Sequence, residues 1–205
     1  MIGGSEFLPL SVLYHSAKIA LQKSEDLGAR PARDNTLEFE MKAARLYAIA
    51  FAAICSEAYI NEEYTKHDAT RALFTEIEKV DARVKWLMLP RLLGHTSFDR
   101  GAQPFQTYDE LVKVRNNHLF HLKPAASGAG ASGGNVPRLP DITENPLLAR
   151  RYVECVGDMI RELSRLTTGE VQVPDFLSGP PATRRVWASA ATPFESLGPR
   201  EEPER

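Results

Sequence analysis

Apolar residues fall at three- and four-residue steps along most of the chain, the spacing of one face of an α-helix. Leu10, Leu13, Ala17, Ala20 and Leu21 predict a first helix from Leu8 to about Leu27, and Gly28 to Arg33, with Pro31, reads as a break. Asp34 or Asn35 can cap a second helix, with Glu38 placed as in a capping box. It runs without Gly or Pro to about Tyr64, carrying Leu37, Met41, Ala44, Ala48, Phe51, Cys55, Ala58 and Tyr59 as one stripe. Asp68 is the expected cap of a third helix from Ala69 through Val84, Leu87 and Met88, kinked or ended by Pro90, which lacks the backbone donor. Leu92 and Leu93 read as core residues, and Gly94 closes the segment.

Residues 95–106 read as a loop, with Thr107 capping the next helix and Asp109 and Glu110 in its first turn. That helix is expected to reach about Leu122 and to stop at Pro124. Residues 125–140, rich in Gly, Ala and Ser, predict a flexible loop. Asn145 before Pro146 is a strong helix start, and Gly169 the matching stop. From Pro174 onward the chain has six prolines and few apolar anchors, which predicts an extended or disordered tail in which Trp187 and Phe194 could dock. No repeat or strand alternation stands out. The expectation is an all-α helical bundle of about five helices over residues 8–168, with a leader at 1–7 and a tail at 169–205.

Composition adds bounds. The 205 residues are 43% hydrophobic and 25% charged, enough for one domain with a real core. A net charge of −2 excludes a polycation that coats nucleic acid. Residues 111–155 nevertheless hold six basic side chains against three acidic ones, which allows a local anion-attracting patch. Cys55 and Cys155 sit in apolar helical patterns and read as buried thiols in a reducing compartment. The start of the chain lacks a signal-peptide pattern, and no stretch reaches about 18 apolar residues, so a cytoplasmic protein without a membrane span is expected.

Most catalytic signatures are missing: there is no phosphate loop, His-Glu-x-x-His or Gly-x-Ser-x-Gly, and no cofactor or metal is implied. His15, His67 and His95 are isolated in sequence. The segment Arg115-Asn116-Asn117-His118-Leu119-Phe120-His121 differs, gathering one Arg, two Asn and two His near a helix end. Arg presents a fixed fork that fits phosphate, His exchanges protons near neutral pH, and Asn can orient either. Such groups suffice to cleave a phosphodiester without metal. The competing reading is a helix-end cluster in which Arg115 pairs with Asp109, Glu110 or an acid of another helix.

Arg115, Asn116, a short spacer and His121, on the penultimate helix of a small bundle, resemble the HEPN family (higher eukaryotes and prokaryotes nucleotide-binding domains), whose signature is Arg, four to six residues, then His. Five residues separate the pair here. Leu122-Lys123-Pro124, Lys85 to Pro90 and Pro104-Phe105-Gln106 also look like stand-alone bacterial members, and the resemblance covers roughly residues 8–168. It implies an RNA-binding, metal-independent endoribonuclease acting as a homodimer. Arg115 and Lys123 would hold phosphate, His121 would be the acid or base, and Asn116 would orient them. Asn117 and His118 would support that site, although an ideal helix sets His118 nearer Arg115 in azimuth than His121. Glu57 and Asn61, four apart on an apolar helix, would supply polar support, Glu57 pairing with Arg115 and Asn61 orienting a histidine. Toxin–antitoxin or antiviral roles follow, with an antitoxin or nucleotidyltransferase partner. The family also contains inactive copies, so a non-catalytic domain binding nucleotide, RNA or protein is the alternative.

Overall fold

The computed structural model describes residues 10–30, 35–120, 137–171 and 173–178. Helix α1 (Leu10–Gly28) lies along α2 (Asn35–Lys66), and the two form the largest helix pairing. Two short turns follow, α3 (Asp68–Arg71) and α4 (Phe74–Ile77), and then α5 (Ala82–Leu92). Next comes α6 (Phe105–Val114), which passes directly into a π-helical segment, Arg115–Phe120. The short α7 (Leu139–Glu144), the long α8 (Pro146–Thr168) and a last turn, α9 (Asp175–Ser178), complete the described chain. Among the described residues no strand occurs, so the fold is all-α.

Helix α2 is the central element, touching α1, α5, α7 and α8 as well as the π-helical segment. Its small residues Ala44, Ala48, Ala52 and Ala53 are buried and let neighbours approach closely. The core is richest in rings around Trp86, which is fully buried. Tyr59 stacks on Trp86 at 6.0 Å, and Phe98 and Tyr108 meet it edge-on at 5.8 and 5.7 Å. Offset and edge contacts of this kind add about 0.5–1.5 kcal/mol per pair beyond area burial.

Several expected boundaries move, each for a physical reason. The third helix is not continuous. Asp81 accepts a hydrogen bond from the Arg83 amide at 2.8 Å and caps a new helix at Ala82, so the apolar stripe from Leu73 to Met88 is divided between α4 and α5. Leu73 and Val84 on that stripe are partly exposed rather than core, and so is Leu92. Asp68 opens α3 instead of capping it, His67 holding the cap position. Pro104, not Thr107, occupies the cap position of α6. Thr107 is buried and bonds Gln103 through its hydroxyl at 2.7 Å. Asp109 and Glu110 therefore lie past the first turn and serve ion pairs. Leu139 and Pro140, expected in the loop, begin α7. The loop's residues 125–136 lie outside the described residues.

The start of the tail is also structured. Phe176 meets the rings of Tyr14 and Tyr59 at 6.0 and 6.3 Å, and Leu177 is buried. Trp187 and Phe194 lie outside the described residues. The start of α8 matches its signal: the Asn145 side chain accepts from the Leu147 amide at 3.0 Å. Gly169 ends that helix at φ 78°, a left-handed conformation that favours glycine. By length and composition α2 could cross a membrane, contrary to the expectation that no stretch would, but 56% of its apolar window is buried inside the bundle.

Candidate functional site

The second half of α2 turns two polar side chains, Glu57 and Asn61, out of an otherwise apolar face. Both are half-buried. Against them pack α5, bringing Lys85, and the π-helical segment, bringing Arg115. Arg115 Nη1 lies 2.6 Å from Glu57 Oε2, with 22% and 32% of the two side chains exposed. A carboxylate at this distance fixes the guanidinium's position and offsets the cost of taking it partly out of water.

Lys85 is fully buried. Its ammonium donates to Asn61 Oδ1 at 2.8 Å and to the Glu78 carbonyl. Burial pushes its pKa down, Glu57, Glu78 and Asp81 pull it back up, and Arg115 pushes it down again. These mutual influences place Lys85, Glu57 and Arg115 in one electrostatic neighbourhood. A second ladder borders it. Arg83 bridges Asp81 and Asp109 at 2.9 Å each, and Lys113 reaches Asp109 at 2.6 Å. Glu110 is taken by Tyr152 at 2.8 Å and by Arg151. Of the acids the sequence offered Arg115, the partner is thus Glu57 of another helix, while Asp109 and Glu110 serve other cations.

The switch from α to π winding begins at Arg115. Two consecutive Asn residues follow it, both weak helix formers whose side chains compete for backbone groups. A π-helix closes i→i+5 bonds, is rare, and is found frequently at functional sites. It also turns less per residue than an α-helix. His118 is therefore rotated further from Arg115 than the ideal-helix azimuth suggested. Its Nε2 lies 2.9 Å from the Pro137 carbonyl, tying the segment to the residues just before α7. Asn116 and Asn117 are half-buried on the same segment, and Leu119 packs against the core. His121 and Lys123 lie outside the described residues.

Of the expected site residues, Arg115, Glu57 and Asn61 come together, with Asn61 holding Lys85 rather than a described histidine. Lys85 was missed as a site residue. The available signal was a lysine inside the apolar run Val84-Lys85-Trp86-Leu87, an expensive placement unless its charge is satisfied. Among the described residues no group of three or more His, Cys, Asp or Glu could hold a metal ion. Comparison with known proteins finds no matching family model, curated protein or solved structure.

Proposed function

We propose that the chain is an HEPN-like, RNA-binding endoribonuclease that works without metal and acts as a homodimer. The observation that carries the reading is the Glu57–Arg115 ion pair at the first residue of a π-helical segment. It presents an oriented guanidinium at the start of the segment that leads to His121. In this reading Arg115 steadies the negative charge that gathers on the non-bridging oxygens, with Lys123 as a second phosphate contact. His121 takes a proton from the ribose 2′-hydroxyl or gives one to the leaving 5′-oxygen. Asn116 orients these groups, and Asn117, His118, Glu57 and Asn61 support them. One arginine and one reactive histidine per chain form a thin catalytic set, which a two-fold dimer doubles. A cytoplasmic toxin or antiviral effector, held by an antitoxin or nucleotidyltransferase, fits that chemistry.

A second reading is favoured by the same pair: Arg115 is already engaged by Glu57, as in an internal structural bridge. The chain would then be a non-catalytic helical dimer binding nucleotide, RNA or protein. Incubating the purified protein with labelled RNA and labelled DNA in EDTA separates the two. The catalytic reading expects RNA cut to 2′,3′-cyclic phosphate ends and DNA intact. Intact RNA, or cleavage that needs Mg²⁺, overturns it. Light scattering tests the shared site: a monomer at tens of micromolar that still cuts RNA contradicts the dimer.

A further inference from the structure

Nearer the other end of α2 a cavity of about 290 Å³ opens between the last turns of α1, the first third of α2 and the start of α8. Arg45 lines it and is 4% exposed. Its Nη1 donates to the Thr143 carbonyl and its Nη2 contacts the Met41 sulfur at 3.2 Å. Its Nε is buried without an acceptor, and no carboxylate among the described residues lies in ion-pair range of it. Glu25, which also lines the cavity, acts on Arg45 at longer range, and its Oε1 accepts from Arg150 at 2.8 and 3.1 Å. A guanidinium stays protonated in proteins, and a buried charge with no counter-charge in ion-pair range is unfavourable.

Gly28 also lines the cavity and brings the end of α1 close to this cation. A Cβ built there would lie 3.8 Å from Arg45 Nη2 and 3.3 Å from the Met41 sulfur. Arg150, half exposed, stands at the same cavity, as does Pro146 at the start of the 23-residue α8, whose dipole adds positive potential. We propose that this cavity binds a small oxyanion-bearing ligand, a phosphate or a carboxylate, with Arg45 as its buried counter-charge and Arg150 as its contact at the mouth. The guanidinium fork matches both oxyanions in geometry. The site stands apart from Arg115: Glu57 is twelve residues beyond Arg45 on α2, about 18 Å along the helix axis. The inference therefore holds whether or not the chain cuts RNA.

The test is thermal unfolding of the full chain at constant ionic strength with inorganic phosphate, acetate or chloride. Phosphate or acetate should raise Tm saturably over chloride, by about 3–6 °C at ten times Kd, and the anion that does so identifies the ligand class. Arg45→Met should abolish the shift. Should that variant fail to fold, two changes at exposed cavity residues decide. Arg150→Gln and Leu147→Glu, the latter placing a carboxylate at the rim, should each weaken apparent binding about tenfold or more. The proposal is overturned if neither oxyanion exceeds chloride up to tens of millimolar. It is also overturned if the shift survives unchanged in both Arg150→Gln and Leu147→Glu.

Discussion

Arg45 and Arg115 both set a guanidinium into the packing around α2, but their surroundings differ. Arg115 arrives from the π-helical segment and meets the Glu57 carboxylate at 2.6 Å, with about a fifth of its side chain exposed. Arg45 belongs to α2 itself, is almost wholly buried, and meets a carbonyl and a thioether. A paired arginine can be stable with its site empty, because the protein supplies the counter-charge. A buried arginine with no carboxylate in ion-pair range among the described residues feels only the longer-range charge of Glu25, which leaves a place for an added anion. The contrast assigns different roles: Glu57 positions Arg115, and a ligand completes Arg45.

The largest effects should come from the Arg115 side. Arg115→Ala should lower RNA cleavage on the order of 100- to 1,000-fold, the usual cost of one donor aimed at transition-state charge. His121→Ala should cost about 100- to 10,000-fold, as for a general acid–base group. His118→Ala should cost less, since its ring is already engaged at the Pro137 carbonyl. If His118→Ala is dead while His121→Ala is active, the choice of histidine is wrong and the family reading stands.

Glu57→Gln takes away the carboxylate that meets Arg115 and brings its surroundings closer to those of Arg45. The change should lower cleavage about 10- to 100-fold through misplacement of the guanidinium. It should also lower stability by about 1–2 kcal/mol, less than for a fully buried pair because water reaches both side chains. Urea denaturation midpoints would show it, and an unchanged midpoint would mean the ion pair contributes nothing.

Asn145→Ala removes the cap of α8, which helps wall the Arg45 cavity, and should cost about 1 kcal/mol. It should weaken oxyanion binding and leave RNA cleavage unchanged, so an equal loss in both assays would contradict two separate sites.

The smallest effect at neutral pH belongs to the cysteines. Burial pushes the thiols of Cys55 and Cys155 up to about 12 from 9.0. Raised folded-state values mean their contribution is complete below pH 9 and is lost as pH climbs toward 12. Neither thiol should react with a thiol reagent at pH 8 until the chain unfolds, and replacing both with Ala should flatten part of the alkaline loss of stability.

How much of this was legible depends on whether a feature is local. The start and stop of α8 are read from Asn145, Pro146 and Gly169, because a cap needs only its own few residues. The break at Asp81 was hidden: the apolar spacing stays in phase across it, and only the three-dimensional packing leaves Leu73 and Val84 exposed. Glu57 and Asn61 stood out as polar residues on an apolar helix, yet spacing alone could not show that Asn61 holds an ammonium from α5. Arg45 gave even less signal, since an arginine in a long helix normally reaches water and its burial depends on α7 and α8 folding over it. The π winding at Arg115 is visible only as a pair of weak helix formers, Asn116 and Asn117.

The most direct measurement is cleavage of labelled single-stranded RNA in EDTA by the wild-type chain and by Arg115→Ala, with circular dichroism showing both equally helical. Cyclic-phosphate products from the wild type and a loss of at least about 100-fold in the variant are the expected result. Equal cleavage by the two proteins, or intact RNA with both, would contradict it.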